Sequence, residues 1–175
     1  MKTIGEMNQS ELAAHLQTYL SQAGIQVILS GGTAVSFYSG NQYVSKDIDL
    51  IQNGLSSRKQ IEKVMSQIGF QSDGRYFRHP ETGTLVEFPA GPLSVGEQLV
   101  KDIQTFSLDT GMLYVISATD CVKDRLCAYY YWNDLQGLAQ AVLVAKQQKI
   151  NMDEIRLWSI AEGQASKFID FEMRV

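Results

Sequence analysis

Between Ile25 and Ile51 two apolar runs alternate with strong breakers, and this pattern limits the possible folds more than any other part of the chain. The run Ile25-Gln-Val-Ile-Leu29 has the length and β-branched content of a buried strand. Gly31-Gly32 breaks it, Thr33 to Tyr38 predicts a short helix, and Gly40-Asn41 turns the chain into a second strand over Asp47 to Ile51. Residues i and i+2 of a strand share a face, so Asp47 and Asp49 project together while Ile48 packs on the opposite side. A strand, a glycine turn, a short helix and a strand carrying Asp-x-Asp place the chain in the mixed α/β class.

The flanking sequence extends this plan. Ser10 and Glu11 open a helix with Leu12, Leu16 and Leu20 in one stripe, stopped by Gly24. Ser56 or Ser57 caps a third helix through Ile61, Val64, Met65 and Ile68, closed by Gly69. Phe70 to Pro80 reads as a hairpin around Asp73-Gly74, Thr84 to Phe88 as a strand, and Ala90 to Gly96 as a loop. Residues up to Thr110 are irregular or contain a further strand, and Leu113 to Ile116 forms a last short one.

From Ser117 the pattern becomes helical. Ser117 to Asp120 fits a variant capping box ahead of Val122, Leu126 and Tyr129 or Tyr130. Asn133 or Asp134 opens a second helix with Leu135, Leu138, Val142 and Ala145. Asn151 to Glu154 opens a last one with Ile155 and Trp158. The expected fold is α/β (α+β): a mixed β-sheet flanked by helices over residues 1–116, then a C-terminal helical lobe over 117–175, with a substrate cleft between them.

Bulk properties narrow the partners. With 175 residues, 45% hydrophobic and 19% charged, the chain can bury a core and is not of disordered composition. A net charge of -4 argues against bulk DNA binding, while a local basic patch could still dock an RNA end. No apolar stretch approaches the roughly 20 residues of a membrane helix, and the N-terminus lacks a signal-peptide core. Cys121 and Cys127, six apart in a helix, point to different faces and form no disulfide framework. The expectation is a cytoplasmic protein with no membrane partner.

Two carboxylates on one strand face repel each other unless a cation sits between them. Mg²⁺ takes oxygen ligands, commonly one or two carboxylates plus substrate phosphates. A third carboxylate on a neighbouring strand would complete a two-metal site. Glu87 is the candidate, since Val86 and Phe88 face the other way; Glu81, Asp73 and Asp102 compete from less regular segments. Gly31 and Gly32 let the backbone approach phosphates closely, and Thr33 can add a hydroxyl donor. The spacing is not that of a Walker loop.

Lys46, Lys123 and Arg125 could contact phosphates, against the plainer reading of solvated charges or helix-surface ion pairs. His15 and His79 have no second ligand at metal spacing. Tyr129-Tyr-Tyr-Trp132 either stacks on a base or, more plainly, packs the lobe.

Gly31-Gly32-Thr33-Ala34 followed by Ser45-Lys-Asp-Ile-Asp-Leu50 resembles the DNA polymerase β-type nucleotidyltransferase superfamily, above all its bacterial branch of minimal nucleotidyltransferases and AbiEii-type abortive-infection toxins. The resemblance implies that Gly31, Gly32, Thr33, Lys46 and Lys123 hold the nucleotide, and that Asp47, Asp49 and Glu87 are the catalytic metal ligands. It implies two Mg²⁺ ions and a nucleoside triphosphate whose NMP moves to a hydroxyl acceptor. That acceptor would be an RNA 3′ end or a partner protein in a toxin–antitoxin or phage-defence pair, with an aminoglycoside-like small molecule ranked lower. Asp120 to Leu126 and Trp132 to Asp134 are similar to the helical segment that follows the core in these proteins, which adds Lys123, Asp124 and Asp134 as secondary candidates. Gly-Gly-Thr replaces the family's usual Gly-Ser, the gap to Asp47 is longer, and a glutamate stands at 87. The alternative is a catalytically inactive nucleotidyltransferase fold acting as a binding or antitoxin module.

Overall fold

In the computed structural model, which describes residues 2–175, Asn8 rather than Ser10 caps the first helix. Its side-chain oxygen accepts the Glu11 N–H, and Glu11 accepts the Asn8 N–H in return. This helix, α1 (Gln9–Gln22), buries Leu12, Ala13, Leu16 and Leu20. The strand β1 (Val27–Ser30) runs into α2 (Gly31–Tyr38), so the helix begins at the glycines themselves and not at Thr33. Next come β2 (Asp47–Gln52) and α3 (Arg58–Gln67), the latter capped by Ser57.

The expected hairpin is β3 (Gln71–Asp73) and β4 (Tyr76–His79), followed by β5 (Thr82–Glu87). The expected loop contains β6 (Ser94–Val95), which pairs with β7 (Gln98–Leu99) just beyond it in a small two-stranded sheet, too short to leave a period in the sequence. β8 (Ile103–Leu108) and β9 (Gly111–Ile116) form a regular antiparallel pair.

Seven strands make one mixed sheet in the order β3-β4-β5-β2-β1-β9-β8. β2 is antiparallel to β1 and parallel to β5, which puts it at the centre. Strand alternation sends Ile48, Leu50 and Val86 fully into the core. It leaves Asp47, Asp49 and Glu87 half-buried on the other face. β1 and β9 pair at a single position, Leu29 with Val115. The buried Gln17 amide of α1 spans the opening beside it, donating to the Val27 and Tyr114 carbonyls and accepting the Tyr114 N–H.

Four helices complete the chain: α4 (Ala118–Trp132), α5 (Leu135–Gln147), α6 (Met152–Ala161) and α7 (Ala165–Glu172). Ser117, Asp134 and Asn151 cap the first three. The fourth, α7, goes beyond the expected last helix. Its N-cap Gln164 makes no side-chain capping bond, so the sequence carried no start signal for it. α4 and α5 both pack on α2, and the buried residues form one cluster from Leu12 to Phe171. No helix among the described residues is long and apolar enough to cross a membrane.

Candidate active site

Cross-strand register assembles the acidic cluster. Asp49 lies opposite Ser30 on one side and Glu87 on the other, so the end of β1, the start of β2 and the end of β5 meet in one line. Asp47, two residues back on the same face, completes the group. Asp47, Asp49 and Glu87 each offer an oxygen within 4.8 Å of the others, the one such cluster of His, Cys, Asp or Glu among the described residues. The competitors stand elsewhere. Asp73 pairs with Arg78 on the hairpin, Asp102 accepts from the Gln104 amide, and Glu81 is exposed in the β4–β5 turn.

The glycines bring α2 against this cluster. Gly31 has φ +65°, and a Cβ there would lie 2.3 Å from Asp49 Oδ2. Only glycine fits both demands. Gly32 meets a different constraint: a Cβ would stand 2.5 Å from Ser45 Oγ. Ser45 Oγ donates to Asp47 Oδ1 at 3.1 Å, while its N–H donates to Ser36 Oγ on α2. Ser30, the N-cap of α2, makes no side-chain capping bond, so the first N–H groups of the helix are not taken up by a cap.

Thr33 is fully buried and its hydroxyl donates to the Asp47 carbonyl at 2.6 Å. The single hydroxyl proton is therefore used in fixing β2 to α2, not turned toward a phosphate as expected.

Charge is concentrated here. Burial pushes the Asp49 carboxyl up to about 6, the neighbouring Asp47 and Glu87 carboxylates add to the rise, and Arg125 opposes it. Arg125 projects from α4, holding Asp124 through Nε at 3.1 Å and Nη2 at 2.5 Å, with Nη1 3.4 Å from Gln140 Oε1. The charge of this arginine thus reaches the carboxylates on β2 from the helical side. Three carboxylates with no nitrogen or sulfur form a donor set suited to a hard divalent cation such as Mg²⁺. Their mutual repulsion is the energetic counterpart of that fit.

The two lysines do not join the cluster. Lys123 is 1% exposed; its Nζ donates to Glu154 at 2.5 Å, Gln98 at 3.2 Å and Asp120 at 3.4 Å. It ties α4 to α6 and to the β6–β7 hairpin beside a cavity of about 440 Å³ lined by Glu97, Lys101 and Asp102. Lys46 is exposed in a separate depression near Arg78 and Thr84.

Asp134 caps α5. Tyr130 is buried, stacked on Trp158 at 5.6 Å, and its hydroxyl meets Ser159, as the plainer packing reading had it. The Tyr129 hydroxyl donates to Asp170, and Trp132 is exposed. Both cysteines are free thiols, and burial pushes Cys127 up to about 12.

Sequence reasoning missed two arginines. Arg75, at the β3–β4 turn, brings Nε to 3.6 Å from Glu87 Oε2. Arg58 donates to the carbonyls of Gly74 and Arg75 and so holds that turn. Nothing local marks either residue, because one contact depends on how the hairpin folds back on β5 and the other on how α3 packs against the hairpin turn.

The chain matches no protein-family model and no curated protein. Solved structures share its fold. The antibiotic-resistance factor ANT(2'')-Ia in solution superposes with a TM-score of 0.56 at 11% identity, over 91% of this chain and 92% of that one. ANT(2'')-Ia in complex with adenylyl-2''-tobramycin gives 0.55 at 13% identity, over 93% and 97%. An antigenic nucleotidyltransferase-like protein from Paracoccidioides brasiliensis gives 0.52 at 16% identity, over 76% and 74%. A mixed seven-stranded sheet with flanking helices and these superpositions establish a nucleotidyltransferase-like fold for this chain.

Proposed function

We propose that the protein is a divalent-metal-dependent nucleotidyltransferase that moves an NMP from a nucleoside triphosphate to a hydroxyl acceptor. The observation that carries this reading is the convergence of Asp47, Asp49 and Glu87 within 4.8 Å beside the uncapped start of α2. The nucleotidyltransferase-like fold supports it. Asp47, Asp49 and Glu87 would hold Mg²⁺, two ions in the full site, which supply charge neutralisation at the triphosphate and the leaving pyrophosphate.

The chain's own groups do the rest. Gly31 and Gly32 keep the α2 N-terminus free of side chains so that its N–H groups can bind phosphate oxygens. Thr33 and Ser45 fix the height and rotamer of Asp47. Arg125 on α4 adds a positive charge that reaches Asp49, and a guanidinium is suited to phosphate. A Glu87 carboxylate oxygen takes the proton of the attacking hydroxyl. The new O–P bond forms at the α-phosphorus as the bond to the β-phosphate breaks.

The acceptor in this proposal is an RNA 3′ end or a partner protein, within a toxin–antitoxin or phage-defence pair. A second reading, a small polyhydroxylated acceptor, gains support from the complex of the fold neighbour ANT(2'')-Ia with adenylyl-2''-tobramycin, over nearly the full length of both chains. A catalytically inactive binding or antitoxin module is the remaining alternative.

One experiment separates these. The protein and Asp49→Asn are incubated with each α-labelled triphosphate, Mg²⁺ or Mn²⁺, and RNA, cell-extract protein or aminoglycoside. Label transferred by the wild type alone supports the enzyme and names the acceptor class. No label in any arm, and no Mg²⁺-dependent thermal stabilisation by triphosphate, leaves the inactive module.

A further inference from the structure

The tip of the β3–β4 hairpin brings a cation to the acidic cluster from outside. Tyr76 pairs with Glu87 across the β4–β5 ladder, so Arg75, one residue earlier, is placed at the rim of the site. Its Nε lies 3.6 Å from Glu87 Oε2, and its charge also reaches Asp47. The side chain is 68% exposed, against 21% for Glu87.

The backbone beneath it is held. Arg58 donates to the Arg75 carbonyl at 3.1 Å and the Gly74 carbonyl at 2.8 Å, with its own guanidinium 4.4 Å over the Phe77 ring. The Arg75 guanidinium rests 4.6 Å over the Tyr76 ring and bonds to the Tyr76 hydroxyl. A fixed base carrying a long exposed side chain can exchange partners without refolding the hairpin.

We propose that Arg75 is a displaceable counter-ion of the acidic site. It neutralises Glu87 while no divalent ion is bound, and it passes to the polyphosphate of the nucleotide once a metal ion takes Glu87. A divalent ion on Glu87 neutralises that carboxylate and repels the guanidinium beside it, so the two cations compete for the same charge. The freed guanidinium then has a planar fork that matches a phosphate group. This rests on the site reading given under Proposed function.

The test measures Mn²⁺ affinity by electron paramagnetic resonance. It also measures the affinity of α,β-methylene triphosphate analogues with Mn²⁺ saturating, for wild type, Arg75→Gln, Arg78→Gln and Asp49→Asn. Arg78 sits on the same hairpin, pairs with Asp73, and controls for loss of one positive charge. Arg75→Gln should bind Mn²⁺ roughly two- to fivefold more tightly at low ionic strength, the scale of an exposed ion pair, with the gain fading in high salt. The same variant should bind the analogues more weakly, while Arg78→Gln changes neither.

If Arg75→Gln matches Arg78→Gln in both titrations while Asp49→Asn loses Mn²⁺, the counter-ion role is overturned and the metal site stands. Tighter Mn²⁺ with unchanged analogue affinity also overturns it. Equal Mn²⁺ binding by wild type and Asp49→Asn overturns the site reading and this proposal together.

Discussion

Replacing Asp49 by asparagine should make the metal-free protein more stable at neutral pH, although it removes a central carboxylate. The Asp49 carboxyl is raised from 3.8 to about 6, first by burial and then by Asp47 and Glu87. A raised acid binds its proton more tightly in the folded state. The associated stability is therefore full below about pH 4 and is lost as pH rises through about 6. Two pKa units correspond to about 3 kcal/mol at pH 7.5. Asparagine removes this charge, keeps the shape, and can donate its amide hydrogens to Asp47 and Glu87 oxygens.

For a chain of this length about 3 kcal/mol corresponds to a rise of on the order of 5–10 °C in Tm. Thermal and urea melts in EDTA at pH 7.5 and pH 5 would show the variant ahead at the higher pH, with the gap narrowing at the lower. Saturating Mg²⁺ should then raise the wild type toward the variant and leave the variant unmoved. An Asp49→Asn protein no more stable than wild type at pH 7.5 would refute the reasoning, because burying the Asp49 charge beside Asp47 and Glu87 would then carry no net cost. So would an equal response of both proteins to Mg²⁺.

Three further substitutions test how the site is built. Gly31→Ala meets a positive φ and the Asp49 carboxylate at once, so it should lower stability by about 1–3 kcal/mol and weaken Mn²⁺ binding; unchanged Mn²⁺ affinity would count against the close packing of α2 on Asp49. Thr33→Val strips the donor from a part-buried carbonyl and should destabilise by about 1–2 kcal/mol in urea melts, with triphosphate affinity lost only through the shift of Asp47. Lys123→Met leaves Asp120 without its cation and should cost about 3–5 kcal/mol while metal affinity in the folded fraction stays at the wild-type value; a selective loss of nucleotide binding would restore Lys123 to the site.

Much of the framework is written locally. The breakers Gly24, Gly31-Gly32, Gly40 and Gly69 mark where elements change, and the apolar spacing of Leu12, Leu16 and Leu20 sets the buried face of α1. Elements with neither period nor cap signal stayed hidden: β6 and β7 are two residues each, and α7 starts at an uncapped Gln164. Among the candidate site residues, the positions of Thr33 and Lys123 were not legible. A hydroxyl or an ammonium group takes whichever acceptor the fold brings near, here the Asp47 carbonyl and the pair Asp120 and Glu154.

What the sequence alone determined is parity: Asp47 and Asp49 share a face because a strand repeats every two residues, whatever surrounds it. Whether a third acid joined them was a matter of register between segments almost forty residues apart. Strand regularity favoured Glu87 over Asp73, Glu81 and Asp102, but only the parallel pairing of β2 with β5 set it beside Asp49. The same packing brought Arg75 and Arg125 to the cluster from two sides. Covalent neighbours fix direction along a strand, but the distance between charges on different strands is set by how the core packs beneath them.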